Sequence, residues 1–294
     1  MKLSSRIFAI TALTALWAMP VQAKPIVVGG KNYTEQLLLA EVTAQLLKQK
    51  GFEVDKRDGL GSQVLRDAQI GGQIDVYWEY TGTSLVTYNK ISERLSAKDT
   101  YERVKELDGK LGLTWLQPSA ANNTYALAVR ADDPKTASVK TLSDLAAAFN
   151  AKKPLSIAVN AEFSGRPDGL PGLQTTYGFK AGRANLKSMD SGLTYQALRD
   201  SQVDAALVFA TDGRIQAFKF RVLTDDKEFF PNYAAVPVVR SEALKANPAL
   251  EATLNALSGK LSDEVLQGLN AKVDVDKTPI EEVARRFLAE SGLN

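Results

Sequence analysis

The stretch Pro25-Ile26-Val27-Val28-Gly29-Gly30-Lys31-Asn32-Tyr33-Thr34-Glu35, followed through to Asp75-Val76-Tyr77-Trp78-Glu79-Tyr80, decides the fold class. Residues 25–29 form a short β-branched strand that ends in Gly29-Gly30. Asn32 and Glu35 have the spacing of a capping box, with Asn32 as N-cap. A helix to about residue 50 places Leu38, Val42 and Leu46 on one face, and Gly51 stops it. Residues 52–58 read as a second strand. Gly59-Leu60-Gly61-Ser62 turns the chain into a helix over 62–70. Residues 74–80 read as a third strand, with Ile74, Val76 and Trp78 on one side. Strand-helix-strand-helix-strand is the pattern of a parallel sheet with crossover helices.

Outward from this stretch, a charged helix spans about 98–111, and residues 125–130 form a strand. The linker-like Ala131-Asp132-Asp133-Pro134 follows, and the alternation restarts. Helices are expected at 141–150, 168–177, 195–201 and 213–218, with strands at 155–160, 205–210 and 221–224. A strand at 235–239 follows Pro231-Asn232-Tyr233, and the remainder reads as helices at 241–247, 249–258, 262–270 and 278–290. The fold class is α/β in two lobes, each a mostly parallel sheet with flanking helices. Lobe one is expected to be discontinuous, residues 24–129 plus 232–294, and lobe two to span 130–231. Ligands of open α/β sheets bind outside the carboxyl ends of the strands, so the site belongs in the interlobe cleft, which would close by hinge motion.

The chain has 294 residues, 36 Lys plus Arg, 34 Asp plus Glu, no His and no Cys. Without His or Cys there is no Ser-His-Asp triad, thiol nucleophile, disulfide or ordinary zinc site. No catalytic residue, metal or cofactor is expected. Lys2 and Arg6, a short apolar run, Pro20 and Val21-Gln22-Ala23 make residues 1–23 a secretory signal peptide. It carries both surplus positive charges, so the mature chain balances 34 basic against 34 acidic residues. That balance argues against nucleic acid or an anionic membrane as partner. A lipid anchor needs a cysteine. The expectation is therefore an unanchored, monomeric protein exported to a periplasm.

Gly59-Leu60-Gly61 lacks the third glycine of a dinucleotide fingerprint, since Val64 stands there, and reads as a tight turn. Asp75 and Glu79 share a strand face. They are either a solvated face or the acid and base of a carboxylate-based hydrolase. Tyr80, Tyr125, Phe209 and Tyr233 each stand at a strand end or a lobe connection. Singly, each reads as a core or rim aromatic. Together at one cleft they form a box for a quaternary ammonium, attracted to ring faces by about 2 kcal/mol once desolvated.

Five blocks occur in order: Gly30-Lys31-Asn32-Tyr33-Thr34-Glu35-Gln36, Asp75-Val76-Tyr77-Trp78-Glu79-Tyr80-Thr81-Gly82-Thr83, Arg166-Pro167-Asp168-Gly169-Leu170-Pro171-Gly172-Leu173, Gly192-Leu193-Thr194-Tyr195-Gln196-Ala197-Leu198 and Thr211-Asp212-Gly213-Arg214-Ile215. On these the chain resembles, over essentially all of its mature length, the substrate-binding subunits of osmoprotectant ABC transporters. The resemblance implies a two-lobed periplasmic binding protein, type II-like, that delivers glycine betaine, choline, carnitine or a similar solute to an inner-membrane ABC permease. It implies an aromatic cage at Tyr80, Tyr125, Phe209 and Tyr233, and a carboxylate site at Lys31, Thr83 and Arg166. Phe209 stands where a tyrosine is usual. Asn123 stands where some members carry an aspartate, which removes a negative charge near the cation. Tyr195, inside a short helix, is expected to pack behind the site. The rival within the same fold is another small zwitterion or amino acid, whose N–H donors would want a carboxylate such as Asp212.

Overall fold

A computed structural model describes residues 24–293; the expected signal peptide lies outside the described residues. The first unit begins β1 (Ile26–Lys31), α1 (Thr34–Gln49), β2 (Val54–Leu60), α2 (Ser62–Ile70) and β3 (Val76–Tyr80). It continues through a π-helical turn over Thr83–Tyr88 to α3 (Ala97–Gly109) and β4 (Leu113–Trp115). The chain then crosses to β5 (Tyr125–Arg130), α4 (Leu142–Asn150), β6 (Ile157–Val159), α5 (Ala161–Gly165), α6 (Leu170–Tyr177) and β7 (Leu186–Ser188). There follow α7 (Ser191–Arg199), β8 (Ala205–Phe209), α8 (Arg214–Ala217) and β9 (Phe220–Val222). It returns as β10 (Ala235–Arg240) and ends in α9 (Ser241–Ala246), α10 (Ala249–Ser258), α11 (Asp263–Asp274) and α12 (Ile280–Ser291).

The two sheets have one topology: β2-β1-β3-β10-β4 and β7-β6-β8-β5-β9. In each, four strands run one way and one runs against them. The reversed strand is the one that arrives from the other sheet, β10 in the first and β5 in the second. The sheets are therefore mixed, with the expected parallel β-α-β units on one side of the reversed strand. Because β5 pairs with β8 and β9, the expected first boundary at 129/130 falls at the far end of β5.

Local sequence explains the elements. All five residues of β3 are buried, because helices and the neighbouring strands cover both its faces. Leu38, Leu39, Val42, Leu46 and Leu47 of α1 are buried, Leu47 with Ile26, Val28 and Val76 of the sheet and the others in the cluster that includes Trp78 and the C-terminal helices. Thr141 and Asp144 form a full capping box on α4, and Gly178 ends α6 in the left-handed region at φ +68°. Gly29 and Gly30 lie within β1 rather than after it. A Cβ at Gly29 would stand 2.6 Å from Leu65 Cδ1, so the glycine lets α2 press on the strand. One apolar cluster runs from α1 and β3 through Tyr125 and Tyr233 into the second sheet, so the two units share core.

Two expectations are corrected. Asn32 is not the N-cap of α1. Tyr33 takes that position without a side-chain bond, and Glu35 turns inward, 3 % exposed. Asp75 and Glu79 are not a solvated face, since both are buried. Asp75 accepts from Val27 N and pairs with Arg240, while Glu79 holds Lys31 at 2.5 Å. Four strand residues separate them by about 13 Å, beyond the roughly 9.5 Å limit for a glycosidase pair.

Candidate functional site

Strand direction brings the site together. Lys31 ends β1, Tyr80 ends β3 and Phe209 ends β8. The reversed strands deliver their first residues to the same edge: Tyr125 opens β5 opposite Phe209, and Ala235 of β10 stands opposite Tyr80. Asn123 and Tyr233 lie in the two crossings, joined by a backbone bond from Asn123 N to Tyr233 O of 3.2 Å. Thr83 begins the turn after β3, and Arg166 ends α5. All eight residues expected from sequence line one cleft of about 580 Å³, with walls from both sheets.

The rings pack as a cluster. Tyr125 lies 5.4 Å from Phe209, 5.4 Å from Tyr233 in an edge-on arrangement, and 5.2 Å from Phe163 behind it. Tyr33 stacks on Phe209 at 5.4 Å with 5° between planes. Burial pushes the Tyr125 hydroxyl up to about 12, so the ring stays neutral. Gly82 gives Tyr233 its place, since a Cβ there would meet the ring at 2.7 Å.

The polar end is held by two carboxylates. Asp168 fixes Arg166 through Nε (2.8 Å) and Nη2 (2.5 Å), and Nη2 also donates to Thr83 Oγ1 at 3.2 Å. The Arg166 guanidinium lies 5.2 Å from the centre of the Tyr125 ring. Glu79 accepts from Lys31, from the Tyr77 hydroxyl and from Tyr80 N, and the Lys31 ammonium sits 5.2 Å from the Tyr80 ring centre. An ammonium has three donors, so this bond leaves Lys31 two. Across the cleft mouth the carboxylate of Glu162, on α5, accepts from Ser62 N (3.1 Å) and Ser62 Oγ (3.0 Å) at the start of α2.

Tyr195 packs behind the site as expected: fully buried, its hydroxyl accepts from Phe209 N at 2.8 Å. Asp212 is tied to Arg214 by two side-chain bonds of 2.9 and 2.5 Å and lines not the cleft itself but a smaller pocket adjoining it. Sequence reasoning missed Tyr33, Asp168 and Glu35. The signal for Tyr33 was its place two residues after β1, the same strand-end position as the aromatics that were identified. Glu35 differs from every other buried carboxylate. Asp75, Glu79, Asp108, Asp168, Asp204 and Asp212 pair with Arg240, Lys31, Arg66, Arg166, Lys135 and Arg214. Glu35 has only neutral donors: Tyr80, Asn123, Thr211 and Asn270.

The sequence and the fold are shared with known proteins. A family model described as the substrate-binding domain of an ABC-type glycine betaine transport system matches residues 24–290. The glycine-betaine-binding protein of Pseudomonas aeruginosa is 43% identical over 92% of this chain and 89% of its own. The ergothioneine transport permease/ergothioneine binding protein EgtU of Helicobacter pylori is 34% identical over 95% of this chain, which spans 50% of that protein. The crystal structure of a glycine betaine/carnitine/choline ABC transporter protein superposes with a TM-score of 0.73 at 29% identity, covering 91% of this chain and 99% of that one. The chain therefore belongs to the family of substrate-binding domains of ABC-type glycine betaine transport systems.

Proposed function

We propose that the protein is exported to the periplasm, captures a quaternary-ammonium solute between two lobes, and hands it to an ABC permease without chemical turnover. The lobes are residues 24 to about 120 with the segment from about 234 onward, and the stretch between. Among the described residues no helix is long and apolar enough to cross a membrane. The observation that carries the reading is the convergence on one cleft of Tyr80, Tyr125, Phe209 and Tyr233 beside the Arg166–Thr83 pair. The rings offer faces to a trimethylammonium group, which has no N–H to satisfy. Arg166 keeps Nη1 free of bonds to the described residues, and Lys31 keeps two donors, for a ligand carboxylate.

Titration calorimetry with glycine betaine, choline, carnitine, ergothioneine and an ordinary amino acid tests this. Heat from the trimethylammonium ligands and none from the amino acid is expected. Binding confined to the amino acid overturns the reading. Ergothioneine belongs in the panel because of the Helicobacter pylori relative and because the cleft, at about 580 Å³, has room for a ligand bulkier than glycine betaine.

A further inference from the structure

Glu35 stands one hydrogen bond behind the cleft wall. Its Oε1 accepts from the Tyr80 hydroxyl and from Asn123 Nδ2, both at 2.7 Å, and both residues line the cleft. Its Oε2 accepts from Thr211 Oγ1 and from Asn270 Nδ2, which line, with Glu35, a smaller adjoining pocket of about 160 Å³ that shares Tyr33, Asn123 and Phe209 with the cleft. Two amide groups and two hydroxyls make a donor set that fits an ionised carboxylate. An ionised carboxylate only accepts, so Asn123 must present its nitrogen to Glu35 and turn Oδ1 away; that oxygen is buried without a partner. Burial pushes the Glu35 carboxyl up; the four bonds oppose that push without cancelling it, so the group stays above its ordinary value.

Among the described residues, every other buried carboxylate pairs with a lysine or arginine. Glu35 thus adds a buried negative charge with no lysine or arginine beside it, in a region where charges are poorly screened; the cleft lining also holds the partly buried Glu162 and the exposed Asp190, which water and Ser62 solvate. A buried charge without a partner is costly, and a ligand of opposite sign relieves the cost. We propose that Glu35 makes the cleft select a cationic head group, acting as a positioning residue through Tyr80 and Asn123. It supplies the counter-charge for the ammonium. By accepting the phenol proton it also raises the electron density of the Tyr80 ring, whose face attracts cations. The proposal rests on the ligand class proposed above and names what selects it.

The test compares choline, a net cation, with glycine betaine, a zwitterion whose carboxylate Glu35 repels. Both are titrated into the parent and into Glu35→Gln. The variant keeps the side-chain shape, and Asn270, whose Oδ1 has no partner, can turn that oxygen to the new amide at the loss of its bond from Nδ2 to Thr211 O. The ratio of the choline to the betaine dissociation constant should rise about tenfold in Glu35→Gln. A structural role would weaken both ligands alike, and an unchanged ratio overturns the proposal. If Glu35→Gln does not fold, Tyr80→Phe decides: it keeps the ring and removes the phenol that couples to Glu35. There too choline must lose more than betaine, about threefold, and equal losses overturn the proposal. A parent that binds neither ligand sinks the ligand reading together with this proposal. A parent that binds both, with variants of unchanged ratio, sinks this proposal alone.

Discussion

The hydroxyl of Tyr233 donates to Asp168 at 2.6 Å, and the same carboxylate holds Arg166 by two bonds. A cage ring and the anion-binding guanidinium are thus hung from one group. Tyr233 comes from the second crossing, and Asp168 precedes α6 of the second unit, so the arrangement links both ends of the site.

This link separates the ring of Tyr233 from its hydroxyl. Tyr233→Phe removes one bond to a charged group and should cost about 1.5–3 kcal/mol of stability, with at most a few-fold change in affinity. Tyr233→Ala removes the ring, and quaternary-ammonium affinity should fall at least about tenfold while both sheets persist. Thermal unfolding and calorimetry measure the two effects. Tyr233→Ala binding like the parent removes Tyr233 from the cage.

Arg166→Ala strips Asp168 of its cation. Glycine betaine loses a charge-assisted bond at its carboxylate and should bind at least about tenfold more weakly. Choline has no carboxylate, and Asp168 is left negative beside the rings, so choline affinity should hold or rise. Equal losses for the two ligands in competition binding would assign Arg166 to lobe packing.

Residues 25–80 were legible because their apolar pattern switches cleanly between strand and helix periods, and the Ser62 start of α2 stood in the sequence. The edge strands β4 and β7 were not. Each is three residues long and carries polar residues, Thr114 in one and Lys187 and Ser188 in the other, so neither shows the apolar run that marked the equally short β6. Tyr80, Tyr125 and Phe209 were legible because strand ends in an α/β sheet converge, Lys31, Thr83 and Arg166 because ordered blocks contain them, and Asn123 and Tyr233 from the lobe connections beside them. Glu35 was misread because local spacing satisfied a capping box, whereas the residues that occupy its carboxylate include Thr211 and Asn270, 176 and 235 positions away. Asp75 and Glu79 mimicked a polar strand face. Their partners, Arg240 and Lys31, lie on other strands, and no single-strand pattern records that.

A buried pair that does not line the cleft contributes to the acid sensitivity of the fold. Asp108 accepts from Arg66 through two bonds of 2.8 and 2.6 Å, and from Asn89 and Trp115. Burial pushes its carboxyl up, but Arg66 and these donors outweigh it, and the folded value lies below the ordinary one. The folded state therefore binds fewer protons than the unfolded one in that window. The stabilisation is complete above the unfolded value of about 3.9 and is lost as pH falls through the folded value. Asp108→Asn should cost about 3–5 kcal/mol at pH 7, because Arg66 stays buried unpaired. Its stability should also fall less steeply than the parent's below about pH 4. Denaturant unfolding between pH 2 and 7 checks both, and parallel acid limbs would remove Asp108 from the acid transition.

Position 123 gives the sharpest test of the charge arrangement. On the resemblance alone, Asn123→Asp adds a negative charge beside the ammonium and shifts preference toward choline. The structure changes that expectation. Asn123 Nδ2 donates to Glu35 at 2.7 Å, so an aspartate there would set carboxylate against carboxylate. Two such groups cannot both ionise cheaply. One takes up a proton, and the pair titrates as a unit with one value strongly raised. At a pH where the pair holds one proton, the site carries the same single charge as the parent, and the ratio of choline to betaine affinity should be close to the parent's. Above the raised value both groups ionise, the site carries two charges, and choline should gain on betaine. The ratio in Asn123→Asp should therefore climb with pH, while the parent's stays flat above the range in which Glu35 itself titrates. Calorimetric titration of both ligands from pH 6 to 9 reads this directly. A ratio that is shifted toward choline and independent of pH would show two charges present throughout, and the Glu35–Asn123 contact would have to be abandoned.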